Sequence, residues 1–197
     1  PARAVPERKP RVEPAQRGLR RIEVKAPAEQ AYVALAFRVP RLASPDALTT
    51  DDRDALALTV LSAVLSGYDG ARLERGLTQG PQRVADSADS GASVVGRGPA
   101  QFVLTGVPAQ GKTAQQVEEA LRAEVARVAR EGVSPAELER VKTQWMASKV
   151  YGRDSLQSQA SELGSNWVQG FGLDAEDRML AQLRTATAQQ EQSPAQR

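Results

Sequence analysis

The residues from Gly106 to Thr113 match a pattern that binds phosphate in other proteins. They read Gly-Val-Pro-Ala-Gln-Gly-Lys-Thr, with the glycine, lysine and threonine spacing of a Walker A loop. An apolar run precedes them and a helical pattern follows, as that loop requires. Backbone N–H groups would then hold the phosphates, and Lys112 would reach the terminal one. Taken locally, the pattern indicates a P-loop nucleotide hydrolase.

The wider sequence argues against that interpretation. A P-loop enzyme also needs a carboxylate at the end of a neighbouring strand to hold Mg²⁺. The chain is helical in pattern almost to its end after Thr113, and the earlier apolar run ends in Arg38-Val39-Pro40. We therefore favour a strand-to-helix turn with Thr113 as the helix cap, and keep the nucleotide hydrolase as a further alternative.

Three aspartates, Asp51, Asp52 and Asp54, have the oxygen ligands that a hard cation would use. They also fall in the first turn of a predicted helix, where the helix dipole favours acidic side chains, and this explains them without a metal. The chain has no histidine and no cysteine. That composition removes disulfides, thiol nucleophiles, Ser-His triads and nearly every zinc, copper or haem site. We expect no catalytic and no metal-ligating residue in this chain.

The basic residues do not indicate a nucleic-acid partner. The net charge is only +2, and acidic and basic residues are mixed along most of the chain. Arg72, Arg75 and Arg83 are interpreted as a solvated face rather than an anion site. No apolar run approaches the roughly 20 residues of a membrane span.

The hydrophobic pattern predicts four strands followed mainly by helices. The strands are expected at Leu19–Lys25, Tyr32–Val39, Gln82–Val95 and Gln101–Thr105. Helix caps are expected at Thr49 or Thr50, at Thr113, at Ser134, at Asp154 or Ser155 and at Asp174, with a short helix over Asp69–Leu77. This order predicts an α+β domain, a largely antiparallel sheet with helices packed on one face. Residues 1–17 are interpreted as a linker, 18–187 as the domain and 188–197 as a polar tail.

Two successive helices between Gly132 and Gly170 carry one tryptophan each. Their apolar stripes are Leu138, Val141 and Trp145 in the first helix, and Leu156, Ala160, Leu163 and Trp167 in the second. We expect both stripes to be buried against the sheet, with the tryptophans as core or interface anchors.

Several segments in order resemble the insulinase, pitrilysin and processing-peptidase family of zinc metallopeptidases. They are Glu29–Leu35, Ala63–Leu73, Val107–Thr113, Glu137–Lys142 and Arg153–Gln157. The resemblance covers residues 18 to 187 and makes the Walker-like string a coincidence. It implies a fold built from homologous α+β halves that close around an unfolded peptide.

The resemblance also implies which half this chain is. In that family one half carries H-x-x-E-H, which binds zinc and supplies the general base. Since this chain has no histidine, it resembles the non-catalytic half, forming one wall of the peptide chamber. The implied partners are a zinc-bearing catalytic half, on the same chain or a separate subunit, and an unfolded peptide. The sequence leaves the location open, and our expectation is the bacterial periplasm.

Relatives in the family use an arginine and, seven residues later, a tyrosine to reach the substrate. Aligning Arg72-Leu73 with the family's "RL" places Thr78 and Ala85 at those two positions. Nearby Arg75 and Arg83 could substitute, so the predicted substrate contacts are Arg75, Thr78, Arg83 and Ala85. The alternative is a structural or assembly module of the same family without a peptidase role.

Overall fold

The computed structural model describes residues 14–46, 48–96 and 98–185. The strands are β1 (Val33–Arg38), β2 (Ala85–Ser93) and β3 (Gln101–Pro108). The helices are α1 (Thr50–Ser66), α2 (Ala114–Glu131), α3 (Pro135–Gly152), α4 (Leu156–Gln169) and α5 (Ala175–Thr185), and a π-turn covers Glu74–Thr78.

Three helices begin at the capping boxes that their sequences predict. Thr49, Thr113 and Ser134 each accept a hydrogen bond from the backbone N–H three residues later, and the side chain there returns one. Each box satisfies two backbone donors that a helix start would otherwise leave unpaired. The caps therefore fix where α1, α2 and α3 start, and through them where the turns before the helices lie.

The three strands form one antiparallel sheet in the order β1-β3-β2. Leu104 at the centre of β3 faces Leu35 on β1 and Ser90 on β2. α2 packs on β3 and α1 packs on β2, and both lie on the side of Phe102 and Leu104, which are buried. This confirms the predicted α+β class with helices on one face of an antiparallel sheet.

The expected strand at Leu19–Lys25 is wrong, so the described sheet has three strands rather than four. That segment forms no regular structure and pairs with no strand among the described residues. Ile22 and Val24 are 85% and 80% exposed. An alternating sequence forms a strand only where a neighbour accepts its hydrogen bonds, and here none does.

The expectation for the two tryptophan helices is also partly wrong. α3 packs on α1 rather than on the sheet, and α4 packs on α5. Trp145 is half-buried against the core, as its helix period predicts. The second stripe is exposed instead of buried, with Leu156 84% and Trp167 74% exposed. Helical spacing predicts a stripe, but the described residues provide nothing to cover this one.

Two predicted boundaries fall largely outside the described residues. Of the predicted linker only 14–17 are described, and these are exposed. The predicted polar tail at 188–197 lies outside the described part entirely. None of the described helices is long and apolar enough to cross a membrane.

Candidate functional site

The Walker-like string forms a strand end and a turn. Gly106 lies within β3, paired with Val33 on one side and Ala88 on the other. A Cβ atom at Gly106 would come within 2.6 Å of the Val117 side chain on α2, so the glycine allows the helix to approach the sheet. Only the residues after Pro108 turn, with the Lys112 N–H donating to the Ala109 carbonyl at 2.9 Å. Packing thus explains the glycine. Because the first three residues of the string belong to a strand, they do not form the phosphate-binding loop that the P-loop alternative needs.

The carboxylate of Asp52 is occupied by donors from the protein itself. It accepts hydrogen bonds from the Ala43 N–H at 2.6 Å, the Ser44 N–H at 3.4 Å and the Thr49 N–H at 2.9 Å, and from the Thr49 hydroxyl at 2.6 Å. Burial alone would raise the pKa of Asp52, but these hydrogen bonds lower it below its usual value. The side chain therefore anchors the loop before α1 as part of the helix cap.

Arg72 contradicts the prediction of a solvated arginine face, because it is only 7% exposed. Its guanidinium donates two hydrogen bonds to Glu137, at 2.7 and 2.8 Å, and one to the Gly132 carbonyl at 3.0 Å. The third nitrogen, Nη1, is buried with no hydrogen-bond partner among the described residues. This bidentate pair ties the segment before the π-turn to the start of α3.

The same pair changes the titration of Glu137. Hydrogen bonds from Arg72 outweigh the opposing effect of burial, and with those from Ser134 they lower the pKa of Glu137 to about 2. The carboxylate is therefore ionised throughout the physiological range. It serves at once as the third residue of the α3 capping box and as the counter-charge of a buried arginine.

The four predicted contact positions meet at one corner of the domain. Arg75 and Thr78 lie in the π-turn, Arg83 precedes β2 and Ala85 begins it. The Val84 N–H donates to the Leu77 carbonyl at 2.9 Å, which holds the turn against the start of β2. The structure thus brings together positions that the sequence separates.

These four positions offer different surfaces to a ligand. The side chains of Arg75 and Arg83 are 55% and 53% exposed, the first 3.9 Å from Glu137 and the second 3.5 Å from Asp86. The Thr78 hydroxyl donates to the Glu74 carbonyl at 2.9 Å. Ala85 is fully buried, backbone included, so it presents no surface to a ligand. Of the four positions, Arg75 and Arg83 are therefore the ones whose side chains are exposed enough to reach a ligand.

The face of the sheet opposite the helices is open, in that no element of the described residues covers it. Its side chains are small or polar and are exposed or half-buried; they are Ala34, Ala36 and Arg38 on β1, Gln101, Val103, Thr105 and Val107 on β3, and Ser87, Asp89, Gly91 and Ser93 on β2. With no large side chain on β2 or β3, an extended chain could lie close to this surface. The alternation along β3 is the sequence signal for this face, since Phe102 and Leu104 point to the core while Val103 and Thr105 point to the other side.

The first 145 residues match the sequence profile of the family described as the peptidase M16 inactive domain. The chain belongs to this family. Its sequence resemblance to zinc metallopeptidases and its interpretation as the inactive half are thereby confirmed. A comparison with curated proteins found no match.

Solved structures with the same fold include three bacterial proteins. A protease from Helicobacter pylori has a TM-score of 0.75 and 19% identity, covering 87% of this chain and 38% of that one. The inactive peptidase domain of a proposed zinc protease from Bordetella parapertussis has a TM-score of 0.70 and 18% identity, covering 86% of this chain and 84% of that one. The periplasmic protease PqqL from Escherichia coli has a TM-score of 0.60 and 16% identity, covering 86% of this chain and 18% of that one. The chain thus has the span of an isolated inactive domain and well under half of the larger proteases.

Arg72 is buried although its sequence predicts a solvated position. The sequence holds only a weak signal at this position, an apolar residue on either side of the arginine, Ala71 and Leu73. Glu137 gives the complementary signal, because a capping-box glutamate has a fixed position that a distant arginine can use. Neither signal identifies the partner, since the two residues are 65 positions apart.

Proposed function

We propose that this chain is the non-catalytic half of a zinc-dependent peptidase and forms one wall of its peptide chamber. Membership of an inactive peptidase family and a span of 38% of the Helicobacter pylori protease support a role inside a larger assembly. The observation that carries the proposal is the open face of the sheet. An exposed sheet face that no described residue covers, beside an apolar core on the other face, is suited to contact with another chain.

The chemistry is divided between two halves in this proposal. A catalytic half carrying H-x-x-E-H binds zinc and supplies the general base. This chain contributes a surface with small side chains and with hydroxyl groups such as those of Thr105 and Ser87. Such a surface holds an unfolded peptide by shape and hydrogen bonding without selecting one sequence strongly.

The corner with Arg75 and Arg83 is the proposed point of charged contact with the substrate. Both guanidinium groups are more than half exposed. Each is near one carboxylate, but exposed ion pairs are weak and yield readily to a competing carboxylate. Thr78, which is half-buried, completes this corner beside them. We place the assembled enzyme in the periplasm, the location given for PqqL.

Peptide cleavage by the assembled enzyme tests the proposal. The chain is mixed with its catalytic half, and hydrolysis of an unstructured fluorogenic peptide is measured with and without it. Thr105→Arg places a bulky cation on the open face and is expected to raise KM about tenfold, the effect of roughly 1.4 kcal/mol in binding. Gln115→Arg adds the same group at an exposed position on α2 and is expected to leave KM unchanged.

A second pair of variants examines the charged corner. Arg75→Ala/Arg83→Ala should weaken cleavage of acidic peptides more than of neutral ones. If the wild-type chain adds nothing to the catalytic half, the chamber role is wrong. The assembly-module alternative then gains, and the exposed Trp167 on α4 favours it. If the chain stimulates cleavage but the double variant behaves as wild type, the role as a chamber wall is supported. The proposed substrate contacts of Arg75 and Arg83 are then wrong.

A further inference from the structure

A cavity lies where the inner helices meet the outer ones. It has a volume of about 750 Å³ and is bounded by α1, α3, α4, α5 and residues 92–95, which include the end of β2. Sites for small molecules commonly have volumes of roughly 300–1,000 Å³. Because this chain forms every one of these walls, the cavity is a candidate binding site of the domain itself.

The inner wall of the cavity is apolar. Leu42, Leu56 and Leu183 contribute to it and are at most 8% exposed. Trp145 and Met179, which are half-buried against the core, line it as well. A tryptophan ring offers a large apolar surface, and a flexible thioether adapts to varied shapes. This wall is therefore suited to a hydrocarbon chain or ring.

Five charged side chains also line the cavity, and four of them form two ion pairs. Lys149 of α3 pairs with Glu162 of α4 at 2.5 Å, and Arg153 pairs with Asp177 of α5 at 3.6 Å. The fifth, Glu176, has no hydrogen bond or ion pair within the described part of the chain. The lining thus carries one negative charge without a counter-charge of its own.

Glu176 lies in a place that is costly for an isolated carboxylate. It is half-buried, and carboxylates removed from water are normally paired. Burial and the charge of Glu162 raise the pKa of Glu176, and Lys149 only partly opposes them. The helix dipole favours acidic side chains in the first turn of α5, but Asp177 in the same turn is 62% exposed. The dipole therefore does not require the half-burial of Glu176.

We propose that this cavity binds a small organic cation, an amine with an apolar body, through Glu176. The carboxylate accepts hydrogen bonds from the ammonium group, and the apolar body packs against Trp145 and the leucines of the inner wall. A metal ion suits the cavity less, because the described residues contain no group of three side chains that could hold one. The inference does not depend on the proposed chamber role, because binding is measured without a catalytic half.

Tryptophan fluorescence tests the proposal. Trp167→Phe leaves Trp145, which lines the cavity, as the single tryptophan of the chain. Its emission is titrated with octylamine, octanol and octanoate, which have the same chain length and differ in the charge of the head group. We expect octylamine to bind about tenfold or more tightly than octanol, and octanoate to bind most weakly. Equal binding of all three, or no binding of octylamine, overturns the proposal.

Two variants locate the charge that is recognised. Glu176→Gln keeps the shape of the side chain and should lower octylamine affinity about tenfold while leaving octanol affinity unchanged. Asp177→Asn removes the same charge from the adjacent, mostly exposed residue and should change octylamine affinity about twofold or less. Equal losses for the two variants would mean that Glu176 is not the site. If Glu176→Gln disturbs the circular dichroism spectrum, octylamine against octanol on the unchanged cavity still decides whether charge is recognised.

A longer protein distinguishes a binding site from a space that other residues fill. A parent protein that contains this chain should bind octylamine as the chain does, as measured by isothermal titration calorimetry. If the parent fails to bind while the chain binds, residues of the parent fill the cavity and the proposal is wrong.

Discussion

The helices next to the sheet and the helices beyond them differ in what their apolar stripes contact. The inner helices, α1, α2 and residues 135–145 of α3, bury theirs: Val60, Val117 and Val141 are at most 1% exposed. The outer helices, α4 and α5, are less well covered, and Trp167 on α4 is 74% exposed. α4 nevertheless has a side-chain cap at Ser155 and a glycine at its end.

This difference shows that capping and burial are separate requirements. Ser155 and Gly170 satisfy the backbone groups at the two ends of α4, so the helix has defined limits. The apolar stripe between them gains free energy only when another surface removes it from water. Inner helices have the sheet or α1 for that purpose. The rest of α3, beyond residue 145, contacts the outer helices partly through ion pairs, such as that of Lys149 with Glu162 of α4 at 2.5 Å.

The largest effect is expected where a buried ion pair locks the inner helices. Arg72→Met leaves Glu137 and the Gly132 carbonyl without their partner in a buried site, which should lower the free energy of unfolding by about 3–5 kcal/mol. Urea unfolding at neutral pH measures it. Arg75→Met is the matched control, because its side chain is 55% exposed and 3.9 Å from the same carboxylate. Equal losses for both variants would contradict the lock.

Acid should weaken the same pair. The pKa of Glu137 is about 2 in the folded chain against an ordinary value of 4.5, so its ionised form is favoured by folding. The contribution is complete above the unfolded pKa and is lost as the pH falls from 4.5 towards 2. It is worth about 2–3 kcal/mol at neutral pH. Urea unfolding at several pH values should therefore show wild type and Glu137→Gln converging across this window.

A gap that stays constant down to the lowest measurable pH would show that Glu137 stabilises through its shape rather than its charge. The carboxylates of Asp52, Glu118 and Asp174 also have lowered pKa values and lose stabilisation in acid. They are present in both proteins, so the difference between wild type and variant isolates Glu137.

Close packing of α2 on the sheet gives the next effect. Gly106→Ala brings a Cβ to within 2.6 Å of the Val117 side chain and should cost about 1–3 kcal/mol through overpacking. Gly91→Ala on the open face is the control, because a Cβ there meets nothing within 4 Å. Thermal unfolding compares the two. A similar change in Tm for both would mean that α2 shifts to make room for the alanine.

Sequence alone predicted the elements whose signals are local. Thr113 and Ser134 predict the starts of their helices because each forms a capping box with the residue three positions later. The alternation of apolar residues predicts β3. It failed where the outcome depends on distant residues. Ile22 and Val24 alternate as a strand does, but pairing needs a neighbour that the described chain does not place there.

The candidate site followed the same division. The resemblance to a peptidase family identified the segment that holds Arg75 and Arg83, because its motifs are read along the chain. The burial of Arg72 and of Ala85 cannot be predicted from neighbouring residues. Arg72 is buried by its contact with α3, and Ala85 pairs with β3, and both elements are distant in the sequence. The position of β1 at an edge of the described sheet likewise appears only when the strand order is known.

The smallest effect is expected at the outer helices and concerns Trp167. Trp167→Ala removes a side chain that is 74% exposed and should change the free energy of unfolding by no more than about 0.5 kcal/mol. Trp145→Ala at the end of the inner stripe removes contacts with the core and should cost about 2 kcal/mol, less than a fully buried tryptophan would. Urea unfolding of the two variants, run at two protein concentrations, measures both changes in the free energy of unfolding.

The concentration comparison matters because an exposed tryptophan can be buried between copies, and stabilisation by such an association grows with concentration. A loss at Trp167 equal to that at Trp145 and independent of concentration would mean that α4 packs its stripe within the chain. The distinction between inner and outer helices would then be wrong.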